Sequence, residues 1–156
     1  MGLAEQKLQE LGIVLPKFNR HGKATMEIQR HGNLLYTAGH GPEDDNDGTP
    51  LWTGKLGKDL TVEEGYQAAR ECGIILIAKL KHYLGDLERV DQIIKVLGLV
   101  ASADDFYQQP QVMHGFSNLM VDVFGERGRH ARSAMGTNVL PKNIPVEVEM
   151  IVRIRD

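Results

Sequence analysis

The stretch HARSAMGTNVLPKNIPVEVEMIVRI, residues 130–154, decides the fold. Its second half alternates: Val146, Val148, Met150, Val152 and Ile154 are interleaved with Glu147, Glu149, Ile151 and Arg153. A period of two is that of a β-strand, whose successive side chains leave opposite faces. One face is therefore apolar throughout, and the other carries two carboxylates. Glutamate is a poor strand former and is rarely buried without a partner, so the acidic face must meet water, a cation or the surface of another molecule. The first half, HARSAMGTNVL, reads as another strand, joined to the glutamate strand by a turn at Pro141-Lys142-Asn143.

Working outward, RVDQIIKVLGLVAS (89–102) is largely apolar on both faces, as in a central strand covered on both sides. A helix follows near Pro110, a residue suited to a first turn. Val112, Phe116, Leu119, Met120 and Val123 recur at helical spacing as one apolar stripe, and Gly125 or Gly128 ends the segment. Before the central strand, TVEE (61–64) is a capping box with Thr61 at the N-cap and Glu64 reaching back. The helix it opens runs through CGIILIAKLKHYL, is apolar on more than one face, and so packs on something broad; Gly85 is its C-cap. Earlier still, TMEIQRHGNLLYTAG reads as a hairpin with strands near 25–30 and 33–38, meeting at His31-Gly32-Asn33, where Gly and Asn tolerate positive φ. Residues 3–11 read as a short amphipathic helix, and 16–23 and 40–59 as loops.

The order is β-β-α-β-α-β-β, an α+β fold with two helices on one face of a mixed sheet. It forms one domain, residues 1–156, of which 1–24 are an N-terminal extension of short helix and loop. The other sheet face has no cover except that short helix, which predicts an oligomer whose sheets pack against one another.

Composition narrows the function. At 156 residues, 42% hydrophobic and 25% charged, the chain is an ordinary globular domain with a sizeable core. A net charge of −3 argues against a broad nucleic-acid surface. No apolar run approaches the roughly 20 residues that span a bilayer, and neither a secretory signal nor a myristoylation site is expected at the N-terminus. A single cysteine, Cys72, fits a reducing cytoplasm and reads as a core thiol. The acidic loop 40–59 fails as an EF-hand: with Gly48 as the invariant glycine, the position that needs Glu holds Gly54. It reads as a solvated acidic loop.

The candidate chemistry is sparse. Arg132 is followed by Ser133, Ala134 and Gly136, which leave room around a guanidinium fork that can grip a carboxylate bidentately. A surface arginine in an ordinary ion pair is the alternative. Glu147 or Glu149 can serve as a general base toward water, or can pair with Arg132 or Arg153. Of His21, His31, His40, His82, His114 and His130, none has metal-ligand spacing. His40, at a strand end, and His130, two residues before Arg132, can reach a pocket or stay polar loop residues.

The segments GNLLYTAGHGP (32–42), DQIIKVLGLVAS and ARSAMGTNVLPKNIPVEVEMIV (131–152) resemble the Rid family, the YjgF-type proteins also labelled endoribonuclease L-PSP. The pattern R-S, L-P-K, V-E-V-E carries the resemblance, which covers roughly residues 32–154. It implies a chorismate-mutase-like fold, a homotrimer with sites between subunits, and hydrolysis of small 2-imino or enamine acids to 2-keto acids and ammonia without metal or organic cofactor. Arg132 matches the arginine that holds the substrate carboxylate. Glu147 matches the glutamate that activates water, and Gly39 the glycine whose backbone lines the pocket. His40, Ala134, Asn118 and His130 are the further substrate-binding candidates. Ala134 stands where deaminase-type members carry cysteine, Thr25 lies near their tyrosine, and Gly115, Ser117 and Asn118 all fall near their helix asparagine. The expected partners are a small carboxylate and further copies of the chain, with no membrane and no nucleic acid. A non-catalytic carboxylate-binding trimer is the alternative function, with RNA cleavage behind it.

Overall fold

A computed structural model describes residues 1–17, 24–44 and 46–156. The helices are α1 (Leu3–Glu10), α2 (Val62–Leu84) and α3 (Gln109–Phe124), and the strands are β1 (Ile28–His31), β2 (Leu34–Thr37), β3 (Val90–Ala101), β4 (Ala131–Thr137) and β5 (Val146–Ile154). They form one five-stranded sheet in the order β1-β2-β5-β3-β4. Only β3 and β4 run parallel; the other neighbours are antiparallel. The parallel pair is closed by α3, since parallel strands need a crossover rather than a tight turn. The fold is the expected mixed α+β arrangement.

Local chemistry sets the elements. At the hairpin, Gly32 takes φ +60° and Asn33 does not, so glycine alone supplies the unusual conformation, at the first central position as in a II′ turn. The capping box of α2 is complete: the Thr61 hydroxyl accepts from Glu64 N at 3.2 Å and the Glu64 carboxylate accepts from Thr61 N at 2.7 Å. Gly85 closes that helix at φ 78°. In α3 the whole predicted stripe is buried, and Gly125 is its C-cap at φ 60°. β5 buries Val146, Val148, Met150, Val152 and Ile154. The turn at Pro141–Asn143 is a short 3-10 segment in which Lys142 and Asn143 both adopt positive φ. Lys142 holds it to the acidic loop, donating to Gly48 O at 2.8 Å and pairing with Glu43 at 3.2 Å. In that loop Asp44 and Asp47 accept from the backbone of Asn46 and Thr49; Asp45 lies outside the described residues, as does His21.

The core lies between the sheet and the α2–α3 layer. Val96, Val100, Val146, Val148 and Met150 point into it, against Leu76, Leu80, Phe116 and Met120. Cys72 is wholly buried among them, and burial pushes its thiol pKa up. The N-terminal helix does not cover the free sheet face. It joins the helix side, burying Ala4 and Leu8. Glu88 accepts from Ala4 N at 2.9 Å and pairs with Arg127 at 3.2 Å, tying α1 to the segments flanking β3 and β4. The opposite sheet face therefore stays bare, with Tyr36 and Met135 exposed and Leu97, Leu99 and Ile151 half-buried. No described helix is long and apolar enough to cross a membrane.

The two long helices touch where side chains vanish. A Cβ added at Gly115 would lie 2.0 Å from Tyr66 O, a backbone atom that cannot swing aside. Gly115→Ala is therefore expected to cost about 2–3 kcal/mol, as overpacking does. In a thermal melt followed by circular dichroism, that corresponds to a fall in Tm of about 5–10 °C. A melting temperature equal to wild type would show that the helices do not meet this closely.

Candidate functional site

Register decides which side each candidate faces. In β3 and β4, Val96 is opposite Arg132 and Gly98 opposite Ala134. Between β3 and β5, Leu97 is opposite Glu149 and Leu99 opposite Glu147. Residues directly paired across strands share a face. Arg132 and Ala134 thus lie on the face that carries the helices, while Glu147 and Glu149 lie on the bare face. The candidates sort into two groups on opposite sides of one sheet.

The first group surrounds Arg132, where edge strand β4 passes α3. Nη1 donates to Ser117 Oγ at 3.0 Å and to His114 Nδ1 at 3.2 Å, and Nη2 donates to Pro110 O at 3.4 Å. His130 completes the group: its Nε2 lies 2.9 Å from Ser117 Oγ and its Nδ1 2.7 Å from Gly128 O. Its ring stands edge-on to Phe116, centroids 6.1 Å apart. Burial lowers the pKa of His130, with the backbone bond to Gly128 opposing and the nearby Arg132 charge assisting. Burial also lowers that of Arg132, which stays a cation because an arginine's ordinary value lies far above neutral. Ala134 is half-buried against the core.

The second group is built on β5. Gly39 lies so close to Glu147 that a Cβ there would come within 3.1 Å of the carboxyl carbon. Gly39, Leu97, Leu99, Glu147 and Glu149 line one small hollow on the bare face. The Glu147 pKa is raised, first by burial, then by the charges of Glu149 and Glu43. Farther along the same face, Lys95 Nζ donates to Ser133 Oγ at 3.1 Å.

Two candidates go elsewhere. His40 pairs by its backbone with Val148, which places its side chain on the helix side; Nε2 lies 2.7 Å from the Glu27 carboxylate in a mostly buried contact. Asn118 turns toward α2 and donates to Tyr66 OH at 3.1 Å. The residues that actually touch Arg132, His114 and Ser117, are three apart on α3 and so share a helix face. That spacing was the available signal. Among the described residues no group of three or more His, Cys, Asp or Glu side chains is placed to hold a metal.

Residues 5–153 match the family model described as "YjgF/chorismate mutase-like, putative endoribonuclease". Protein TCP17 of Trypanosoma cruzi is 38% identical over 156 residues, covering 99% of this chain and 96% of that protein. The crystal structure of Atu1372 from Agrobacterium tumefaciens superposes with a TM-score of 0.89 at 39% identity, covering 98% of this chain and 94% of that one. That of a "putative endoribonuclease" from Shewanella oneidensis does so with a TM-score of 0.92 at 31% identity, covering 98% and 100%. The match begins at residue 5, so most of α1 falls within it although the sequence resemblance begins near residue 32. The chain belongs to the YjgF/chorismate-mutase-like family.

The raised Glu147 pKa has a sign that can be checked. The native state binds this proton more tightly than the unfolded chain, so its contribution to stability is full below the ordinary carboxylate range and is lost as pH rises through the raised value. Glu147→Gln should flatten that part of the stability curve. In a carbon-13 titration the Glu147 carboxyl should have its midpoint above 4.5, moving down in Glu149→Gln while remaining raised by burial. A midpoint at or below 4.5 would remove the burial argument.

Proposed function

We propose that this member of the family is a cofactor-independent hydrolytic deaminase of small 2-imino or enamine acids, assembled as a homotrimer whose sites join Arg132 of one copy to Glu147 of the next. The observation that carries the reading is the division of the site. Arg132 and Glu147 lie on opposite faces, separated by β3. With neighbouring strands about 4.8 Å apart, one chain cannot bring both to one small acid. The bare, half-apolar face that carries Glu147 is the surface a second copy would cover, and such a copy would bring its own edge strand to the carboxylate.

The chemistry needs little more. Arg132 grips the substrate carboxylate and fixes the imine carbon. A water adds to the protonated C=N bond, and Glu147 accepts a proton from that water as the C–O bond forms. The resulting carbinolamine then expels ammonia, with the nitrogen taking up a proton and the hydroxyl losing one, to leave the 2-keto acid. Glu147 suits the base role because burial and neighbouring charges raise its basicity. Gly39 lets the backbone approach the reacting end. The net charge of −3 runs against RNA as the substrate, although endoribonuclease is the word in the relatives' descriptions.

The test is turnover of 2-iminobutyrate generated in situ. Arg132→Ala should lose measurable activity, and Glu147→Gln should lose about 10²–10⁴-fold, the usual worth of a general base. Mixing the two dead variants, unfolding and refolding them together, should restore up to about a quarter of wild-type activity, because a random trimer joins an intact Arg132 to an intact Glu147 at that share of interfaces. Wild-type turnover by Arg132→Ala would exclude the anchor. No recovery on mixing would exclude the shared site. Binding of 2-ketobutyrate without turnover, or RNA cleavage in place of deamination, would replace the function proposed.

A further inference from the structure

Hydrogen-bond direction around Arg132 is fixed by its far end. Gly128 O can only accept, so His130 Nδ1 carries the ring proton and donates across the 2.7 Å contact. In the neutral ring Nε2 is then an acceptor, and it takes the Ser117 hydroxyl proton across 2.9 Å. Ser117 Oγ is left with its lone pairs for Arg132 Nη1, 3.0 Å away. The chain runs one way: Arg132 Nη1–H to Ser117 Oγ–H to His130 Nε2, then His130 Nδ1–H to Gly128 O. Burial of the His130 ring favours the neutral form this chain requires.

That chain spends one side of the guanidinium. Both Nη1 protons are used, on Ser117 and His114, and one Nη2 proton reaches Pro110 O at 3.4 Å. Of the five donors of an arginine, Nε–H and one Nη2–H have no partner among the described residues. These flank one edge of the planar group, the edge that matches the two oxygens of a carboxylate.

We propose that Ser117, oriented by His130, is a positioning residue that holds the Nη1 end of Arg132 so that the Nε–Nη2 edge takes a planar carboxylate side-on. The proposal rests on the reading of Arg132 as the substrate anchor. It assigns carboxylate recognition to a hydroxyl on α3 that does not itself touch the ligand, and it makes the site selective for flat, two-oxygen anions over ligands that offer one acceptor.

The experiment compares KM and kcat for 2-iminobutyrate, and Kd for 2-ketobutyrate, in Ser117→Ala, Ser117→Thr and His130→Phe. Ser117→Ala should raise KM and Kd about tenfold, the scale of one hydrogen bond to a charged group, with kcat changed less than about twofold. Ser117→Thr keeps the hydroxyl and should bring KM back to within about twofold of wild type. His130→Phe keeps the packing on Phe116 but removes the acceptor, and should raise KM in the same direction by less. In wild type the Arg132 Nε–H resonance should shift on adding 2-ketobutyrate. Wild-type KM in Ser117→Ala, a Thr variant as weak as the Ala variant, or an unmoved Nε–H resonance would each overturn the proposal. If Ser117→Ala fails to fold, the Thr and Phe variants and the resonance still decide it. Failure of the anchor itself reads differently, as full turnover by Arg132→Ala.

Discussion

A strand sends alternate side chains to opposite faces, and the register of β3 with its two neighbours turns that rule into the layout of the site. Val96 sits opposite both Arg132 and Met150, and Leu99 opposite both Met135 and Glu147. The first set faces the helices and the second faces outward. A slip of β5 by one residue would drive Glu147 and Glu149 into the core and put Val146 and Val148 outside. The apolar set at 146, 148, 150, 152 and 154, all buried, fixes the register against that slip. Core burial and the placement of the carboxylates are therefore the same constraint seen from two sides. Gly98 shows how tightly it is drawn: a Cβ there would fall 2.4 Å from the Met113 side chain, so strand and helix meet with nothing between them.

Elements that rest on local chemistry were legible in the sequence. The capping box at Thr61, the stop at Gly85 and the apolar stripe of α3 each depend on residues within a turn or two of one another. The alternation in β5 was equally plain, and from it the outward glutamates. What the sequence withheld depends on how distant elements meet. Nothing near Lys142 announces positive φ, which two consecutive non-glycine residues adopt here. The strand-end position of His40 is compatible with a pocket or with a polar loop, and only its bridge to Val148 shows that it turns to Glu27 on the helix side. Gly115, Ser117 and Asn118 all fall near the family's helix asparagine, and only the helix twist separates them, carrying Asn118 toward Tyr66 and Ser117 toward Arg132. The N-terminal helix, read as the one possible cover for the bare face, packs on the helix side, where Glu88 holds its first turn.

The bare face is costly for a lone chain. Tyr36 and Met135 are exposed there, and Leu97, Leu99 and Ile151 are half-buried beside Glu147 and Glu149. Apolar surface interrupted by carboxylates is poor core material, because an unpaired buried charge is strongly disfavoured. Such a face can pack in its apolar part while its acidic part stays open to water. Glu147 holds that intermediate position: half-buried, with its pKa raised first by burial and then by the charges of Glu149 and Glu43.

Ala134 then bears on how the anchor is held. It occupies the strand position nearest Arg132 on the same face. With a methyl group there, β4 offers the guanidinium no side-chain acceptor. Among the described residues, every group that Arg132 contacts by hydrogen bond comes from α3: Pro110 O, His114 and Ser117. Orientation of the guanidinium thus rests on the helix, and α3 in turn is set by its glycine contact with α2 at Gly115. A shift of α3 that left the strands untouched would carry Ser117 and His114 away from the guanidinium and release the end they hold. In this chain the setting of the Arg132 guanidinium depends on how closely two helices pack, and the helix interface fixes that side chain as much as it fills the core.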